Sequence, residues 1–386
     1  MNILTELAQI GNRIDPKGAI SFPIYNSSTF AHPGLGESTG FDYSRTANPT
    51  RQVLEDAIAR LEEGTKGYAF SSGMGAITTI LSLFSQGDHL IVTEDLYGGT
   101  YRILNEVFNR FGLQVSFVDT SNLEEIERQI LPNTKAIFSE TPTNPLMKIA
   151  DLYGIASLAH SHGLLNIVDN TFLTPFFQKP LNLGADIVIH SGTKYLGGHN
   201  DIIAGLVVVK GEELTTRFAR LQNSLGAILG PQDSWLMIRG LKTLALRMKA
   251  QEENAKQIAQ WLVNHPSVTD VYYPGLETHP GYCTQLAQAS GFGAMLSFRV
   301  TDATLIPQVL KSLQIISYAE SLGGVESLIT YPSTQTHADI PQEVRERLGV
   351  DDRLLRLSVG IEGVEDLIID LEQSLKRENY NETTRF

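Results

Sequence analysis

The stretch LNIVDNTFLTPFFQKPLNLGADIVIHSGTK, residues 165–194, decides the fold. It contains two short apolar runs, Leu165–Val168 and Ile187–His190. The first closes on Asp169-Asn170 and the second on Ser191-Gly192-Thr193-Lys194. Apolar runs of this length, bounded by Gly, Pro and polar residues, read as buried strands. The pattern extends in both directions. Gly67–Phe70, His89–Thr93, Val115–Val118 and Ala136–Ser139 precede the stretch, and Leu206–Val209 comes after it. Between them lie helical stretches over Arg51–Glu62, Gly73–Phe84, Thr100–Arg110, Leu123–Ile130 and Leu152–His162. Strands alternating with helices imply right-handed crossovers. The expected fold is α/β, with a mainly parallel seven-stranded sheet covered on both faces.

The flanks differ in character. Residues 1–50 mix Pro, Gly, Ser and Thr without a sustained period and read as an arm. Residues 51–240 form the large α/β domain. A long helical stretch runs from Gln232 through Val263. After Pro274-Gly275 come shorter strands, Ala294–Arg299 and Leu354–Val359, mixed with helices. Residues 241–386 therefore read as a smaller α+β domain, with a polar tail expected to fray after Lys376.

Acidic residues outnumber basic ones, 43 to 30, for a net charge of −13. That balance repels nucleic acid and anionic membranes, so neither is an expected partner. No apolar run reaches membrane-spanning length, and the N-terminus lacks the pattern of a signal peptide. Cys283 is the single cysteine, which excludes an intramolecular disulfide and fits a cytoplasmic protein. The histidines show no metal-like spacing, and no metal is expected.

Four features gather where an open α/β sheet places a ligand, at the carboxyl ends of its strands. Ser71-Ser72-Gly73-Met74-Gly75-Ala76 comes directly after a strand and opens a helix. Small residues at a helix N-terminus suit a phosphate, although a plain strand-to-helix turn reads the same way. Asp169 ends an apolar strand, as a helix cap, a metal ligand or a partner for a ring N–H⁺. Lys194 sits in a small-residue loop beside Ser191 and Thr193, either as a solvated amine or as a partly desolvated nucleophile. Arg356, within Leu354-Leu355-Arg356-Leu357, needs an anion, from a structural ion pair or from a carboxylate substrate. Together they supply a phosphate cradle, a pyridinium partner, a Schiff-base lysine and a carboxylate clamp. Pyridoxal 5′-phosphate (PLP) chemistry requires all four. Their order, and the 25 residues from Asp169 to Lys194, match the fold type I architecture of PLP-dependent transferases.

The chain resembles the Cys/Met-metabolism PLP enzymes, from about Gly18 to Glu372. The motifs that carry the likeness include Asp42-Tyr43-Ser44-Arg45-Thr46-Ala47-Asn48-Pro49-Thr50, Asp95-Leu96-Tyr97-Gly98-Gly99-Thr100 and Glu140-Thr141-Pro142-Thr143-Asn144-Pro145. Val168-Asp169-Asn170-Thr171, Ser191-Gly192-Thr193-Lys194-Tyr195 and Glu320-Ser321-Leu322-Gly323-Gly324 match as well. The resemblance implies that Lys194 anchors the cofactor and shuttles protons, and that Asp169 keeps the pyridine nitrogen protonated. Gly73, Met74, Ser191 and Thr193 would bind phosphate. Tyr43 and Arg45 would complete that site from a neighbouring subunit, so the arm becomes a clamp within a homotetramer of active dimers. Tyr97 would stack on the ring and act as acid or base, and Asn144 would lie near the ring hydroxyl. Ser321 and Arg356 would hold the substrate or orient the lysine. Glu320 would meet the distal ammonium of cystathionine or cysteine.

Gly99 stands where methionine γ-lyases carry a reactive cysteine, which argues against that activity. Glu320–Pro341 looks most like the bacterial cystathionine γ-synthases. The expected reaction is γ-replacement of O-acylhomoserine by cysteine in methionine biosynthesis, with small amino acids as substrates. Cystathionine γ- or β-cleavage is the alternative. A non-catalytic PLP-binding protein is a rival of another class, as is a dinucleotide binder. The latter predicts a G-x-G-x-x-G after the first strand, which this chain lacks.

Overall fold

The computed structural model describes residues 1–338 and 340–376. The tail expected to fray after Lys376 lies outside the described residues. Seven strands form the first sheet: β1 (Lys66–Phe70), β2 (His89–Thr93), β3 (Gln114–Val118), β4 (Thr134–Glu140), β5 (Leu165–Asp169), β6 (Ile187–Ser191) and β7 (Gly205–Val209). Their order is β1-β7-β6-β5-β4-β2-β3. Every pair from β6 through to β3 is parallel, while β7 runs antiparallel to both β6 and β1. The reversal has a local cause. No helix lies between Ser191 and Gly205 to carry the chain back across the sheet. Without a crossover the strand returns in the opposite direction. β2 and β7 are buried along their whole length, as suits strands covered on both faces.

Helix Pro49–Leu61 begins where the composition changes. Asn48 caps it by accepting from the Thr50 and Arg51 N–H groups, and Pro49 supplies a preset first turn. The Asn48 side-chain amide also donates to the Tyr25 carbonyl at 2.8 Å, which ties the arm down. Within residues 1–48 the regular element is the short helix Ile3–Ala8, and most of the remainder is exposed.

The long helical stretch expected over Gln232–Val263 is two helices, Pro231–Leu241 and Leu244–Val263. Arg247 accounts for the break. Its buried guanidinium donates to the Gly240 carbonyl, to the Thr243 hydroxyl and to the Tyr195 carbonyl. The bend is thereby fastened to the residue after Lys194.

The second sheet contains β8 (Val268–Tyr272), β9 (Met295–Val300), β10 (Ser317–Tyr318), β11 (Leu328–Thr330) and β12 (Leu354–Ser358). Its order is β10-β11-β12-β9-β8, antiparallel except for β10 with β11. One hydrophobic cluster joins the two sheets, from Leu54 and Val208 through Met237 and Ile258 to Phe298 and Leu357. The second sheet is thus held against the end of the first where the parallel strands finish.

Gly205 lies at that end, beside the turn that opens helix Gly73–Leu81. A Cβ there would run into the Ser72 carbonyl and lie 3.0 Å from Ala76 Cβ. Gly205→Ala is expected to destabilise the protein by about 1–3 kcal/mol through overpacking. It should also loosen cofactor retention, because Ser72 moves with the clash. Chemical denaturation and dialysis against buffer measure the two effects, and a variant matching the parent in both would contradict the packing.

Candidate active site

The carboxyl ends of β1, β4, β5 and β6 open onto a cavity of about 300 Å³. One wall comes from the first sheet and includes Ser72, Gly73, Met74, Tyr97, Glu140, Asn144, Asp169, Ser191, Thr193 and Lys194. The facing wall comes from the second sheet and its loops, and includes Glu320, Ser321, Thr336 and Arg356. Eleven sequence-predicted site residues therefore meet around one space: Gly73, Met74, Tyr97, Asn144, Asp169, Ser191, Thr193, Lys194, Glu320, Ser321 and Arg356.

Tyr43 and Arg45 stand apart from it. Both are exposed, and the Arg45 guanidinium lies over the Tyr43 ring at 5.6 Å. Arg45 Nε donates to Asn223 Oδ1 at 3.1 Å.

The turn at Ser72–Met74 has the form of an anion cradle. The first N–H groups of a helix have no intrahelical acceptor. Ser72 Oγ takes the Gly75 N–H at 3.0 Å. Gly73 keeps the turn close to β6, since a Cβ there would stand 3.3 Å from Ser191 Cβ and Oγ. Thr193 differs from expectation in one respect. Its hydroxyl exchanges hydrogen bonds with the Ala204 backbone, accepting at 3.0 Å and donating at 3.3 Å.

Asp169 Oδ1 accepts from both the N–H and the hydroxyl of Thr171, at 3.0 and 2.5 Å. Burial nonetheless pushes its carboxyl above the usual range against a weaker opposing pull from His190, and no ion pair forms with it among the described residues. A buried carboxylate held in this way fits a cationic ring N–H.

Lys194 Nζ donates to Ser321 Oγ at 2.8 Å. Burial, then the nearby Arg356 charge, lowers its pKa from 10.5 to about 8, against an opposing pull from Glu320. A substantial fraction of the amine is therefore neutral near physiological pH, as a nucleophilic lysine requires.

Arg356 is 1% exposed. It donates to Asn144 Oδ1 at 2.8 Å, the Ser321 carbonyl at 3.0 Å and the Thr330 hydroxyl at 3.0 Å. Its Nε has no partner, and among the described residues no carboxylate forms an ion pair with it. The structural ion pair that the sequence allows is absent there. Burial lowers its pKa to about 10, the mark of a cation short of countercharge.

Ser321 bridges the two cations, with its hydroxyl on Lys194 and its carbonyl on Arg356. It does so from a left-handed backbone, φ 87°, which is costly for a non-glycine residue.

Sequence reasoning missed several members of the site. Glu140 lines the cavity and accepts the Tyr97 N–H at 3.1 Å. Thr171 holds Asp169, and Ser72 caps the cradle helix. His337 joins Asn144 from behind at 2.9 Å, and burial lowers its pKa to about 4. Glu140 carried a readable signal, since it ends an apolar strand just as Asp169 does. His337 carried none, because its partner is a backbone carbonyl far away in sequence.

This fold, with a desolvated lysine, a helix-terminal anion cradle and an unpaired carboxylate at adjoining strand ends, defines a fold type I enzyme that uses PLP. The chain belongs to the Cys/Met metabolism PLP-dependent enzyme family, whose model matches residues 4–376. A Bacillus subtilis protein named cystathionine γ-synthase/O-acetylhomoserine (thiol)-lyase is 56% identical over 375 residues, 97% of this chain and 96% of the relative. A second B. subtilis protein, named cystathionine γ-lyase, is 55% identical over 359 residues, 93% of this chain and 95% of the relative. The crystal structure of cystathionine γ-lyase from Lactobacillus plantarum complexed with L-serine superposes with a TM-score of 0.94 at 49% identity. That match covers 97% of this chain and 98% of the other. The protein is a PLP-dependent enzyme of sulfur amino-acid metabolism.

In the apoprotein the Lys194 amine is expected to titrate at about 8. Its neutral fraction rises with pH through that value, so labelling by an amine reagent should level off above it. Labelling of Lys194 with subsequent peptide mass spectrometry measures this. A titration at the ordinary lysine value would contradict the desolvation.

Proposed function

We propose that this enzyme catalyses γ-replacement, joining an O-acylhomoserine to cysteine to give cystathionine and the free carboxylic acid, in methionine biosynthesis. One observation carries the reading. The cavity offers a buried, unpaired cation at Arg356 and an exposed acid at Glu320. That pair of charges suits one amino acid bound by its α-carboxylate and a second recognised by its ammonium group.

The sequence-predicted residues of the cavity each have a role in this reaction. Arg356 clamps the α-carboxylate of the first substrate, with Asn144 and Ser321 holding the guanidinium in place. Gly73, Met74, Ser191 and Thr193 would hold the cofactor phosphate, and Asn144 would serve its ring hydroxyl. Asp169 keeps the pyridine nitrogen protonated, and PLP when bound supplies an electron sink for negative charge at Cα. Lys194 would hold the cofactor through its amine, and the same amine would take the Cα proton of the substrate. Ser321 Oγ orients its amine. Tyr97 covers the ring and acts as acid or base for the protons moved near Cβ and Cγ. Glu320 draws the incoming cysteine by its ammonium, and the thiol adds where the acyloxy group departed.

Tyr43 and Arg45 belong, on this reading, to the phosphate site of a neighbouring subunit, and the enzyme is a homotetramer built from two active dimers. Their exposure and distance from their own cavity support the assignment. So does the charge balance, since Lys194 and Arg356 are the cations lining the cavity and both have other tasks.

Cleavage of cystathionine is the second reading, favoured by the 55% identity to a protein named cystathionine γ-lyase. The two are separated by supplying O-acetyl- or O-succinylhomoserine with cysteine and, separately, cystathionine. Faster cystathionine formation is expected, and faster release of a 2-oxo acid from cystathionine would overturn γ-replacement. Glu320→Gln should raise the KM for cysteine by about tenfold while leaving that for O-acylhomoserine nearly unchanged. Equal effects on both would remove Glu320 from cysteine recognition.

The shared site has its own test. Co-expressed Lys194→Ala and Arg45→Ala chains should regain more activity than either variant alone, because mixed dimers contain one site free of both lesions. No recovery would place Arg45 outside the partner's cavity.

A further inference from the structure

Glu140 has no part in the roles assigned above, yet it lines the same cavity. It closes β4, and its register partner on the parallel strand β5 is Asp169. Directly paired residues on neighbouring strands point to the same face, about 4.8 Å apart. Two carboxyl groups therefore stand side by side at the strand ends, both facing the cavity.

Their supports are unequal. Asp169 receives two hydrogen bonds from Thr171, one from nitrogen and one from the hydroxyl. Glu140, 7% exposed, receives one, from the Tyr97 N–H to Oε2 at 3.1 Å. Beyond β2 stands a third buried acid, Asp95, which adds like charge from the other side. Arg356 attracts a charge on Glu140, but its two terminal nitrogens are engaged by Asn144, Ser321 and Thr330, and among the described residues it forms no ion pair with Glu140. The groups facing Glu140 are thus two carboxyls that disfavour ionisation and one guanidinium bound elsewhere.

We infer that Glu140 works as a neutral carboxylic acid: it carries the proton of the Glu140–Asp169 pair, leaves Asp169 ionised for the cofactor nitrogen, and pins the backbone of Tyr97. Burial first, then Asp169, pushes its carboxyl well above the usual range, in accord with that geometry. The division of labour resembles other paired carboxyls, where environment alone separates an acid from its conjugate base. With both groups ionised, the cavity floor would hold two adjacent negative charges against one ring N–H⁺. With Glu140 neutral, a single charge meets a single proton. Glu140 is thereby a positioning residue, acting through Asp169 and Tyr97. It takes this role whether the thiol adds or the product is cleaved, so its test stands apart from that of the reaction proposed above.

The experiment uses the apoprotein first. Isotope-edited infrared spectra of protein labelled with ¹³C-glutamate should show a protonated carboxyl band at about pH 7 that Glu140→Gln removes. Folded Glu140 binds its proton more tightly than unfolded Glu140. Its contribution to stability is therefore largest at low pH and is lost as pH rises through the raised value. The melting temperature of Glu140→Gln should accordingly gain on that of the parent as pH rises above the ordinary carboxylate range. In the holoenzyme, Glu140→Ala should lower kcat by about tenfold, through loss of the acceptor for Tyr97, and Glu140→Gln should recover most of that loss. Absence of the protonated band would overturn the inference. So would a Gln variant as impaired as the Ala variant, which would require an ionised Glu140. The infrared test on the parent protein stands even where a variant fails to fold.

Discussion

A buried guanidinium without a carboxylate is the constraint on which this site depends. Arg356 lies in the middle of β12, between two leucines that belong to the core. A charge in that position costs several kcal/mol unless its donors are satisfied. The structure satisfies most of them with neutral oxygens from three segments: Asn144 after β4, Ser321 in the loop after β10, and Thr330 on β11. Each of these is fixed in turn. Asn144 is joined by His337, and Ser321 adopts a left-handed backbone that also presents its hydroxyl to Lys194. One unpaired cation thus draws the second sheet onto the strand ends of the first. Neutral acceptors also preserve its charge for an anion from outside, which a carboxylate partner would have cancelled.

The same economy of charge runs across the cavity. Of its cations, Arg356 belongs to the second-sheet wall and Lys194 reaches across to it, while Asp169 and Glu140 occupy the strand ends. Proximity to Arg356 helps to lower the Lys194 pKa, and proximity of the carboxyls helps to raise that of Glu140. Like charges are placed where each shifts its neighbour toward the protonation state that the chemistry needs. The resulting field is a property of the folded pair of sheets and belongs to neither alone.

Much of this is legible in the sequence, for a physical reason. Buried parallel strands leave continuous apolar runs, so β2, β4, β5, β6 and β7 are readable within a few residues. Functional side chains at their ends stand out against those runs, as Asp169 and Lys194 do. The direction of β7 is less accessible, because the lack of a helix between Ser191 and Gly205 is a weaker signal than an apolar run. The division of the Gln232–Val263 stretch is hidden as well. It comes from Arg247 reaching back to Gly240 and across to Tyr195, and a helical period contains no information about such contacts. Glu140 stands within a recognisable motif, yet the feature that defines its role is a register partner on another strand. Arg356 is legible as a residue needing an anion, but only the structure excludes an internal ion pair among the described residues.

The proposed reaction and its rival share nearly all of this apparatus, which accounts for relatives of 55% and 56% identity bearing different names. Lys194, Asp169 and Arg356 act before the γ-substituent leaves. The two reactions differ in what enters afterwards, a thiol for γ-replacement and water for cleavage. On the proposed reading, the second-sheet wall of the cavity is where the entering group is selected. Glu320 is exposed at that wall, next to the strained residue that holds both cations. A carboxylate there raises the local concentration of an ammonium-bearing thiol, while its charge also pulls the Lys194 amine toward the protonated form. Retaining cystathionine calls on the same charge, because its distal half is the cysteine that Glu320 would receive. On the proposed reading, direction depends on how long that distal ammonium is held relative to the arrival of water, and Glu320 is the side chain that would govern it.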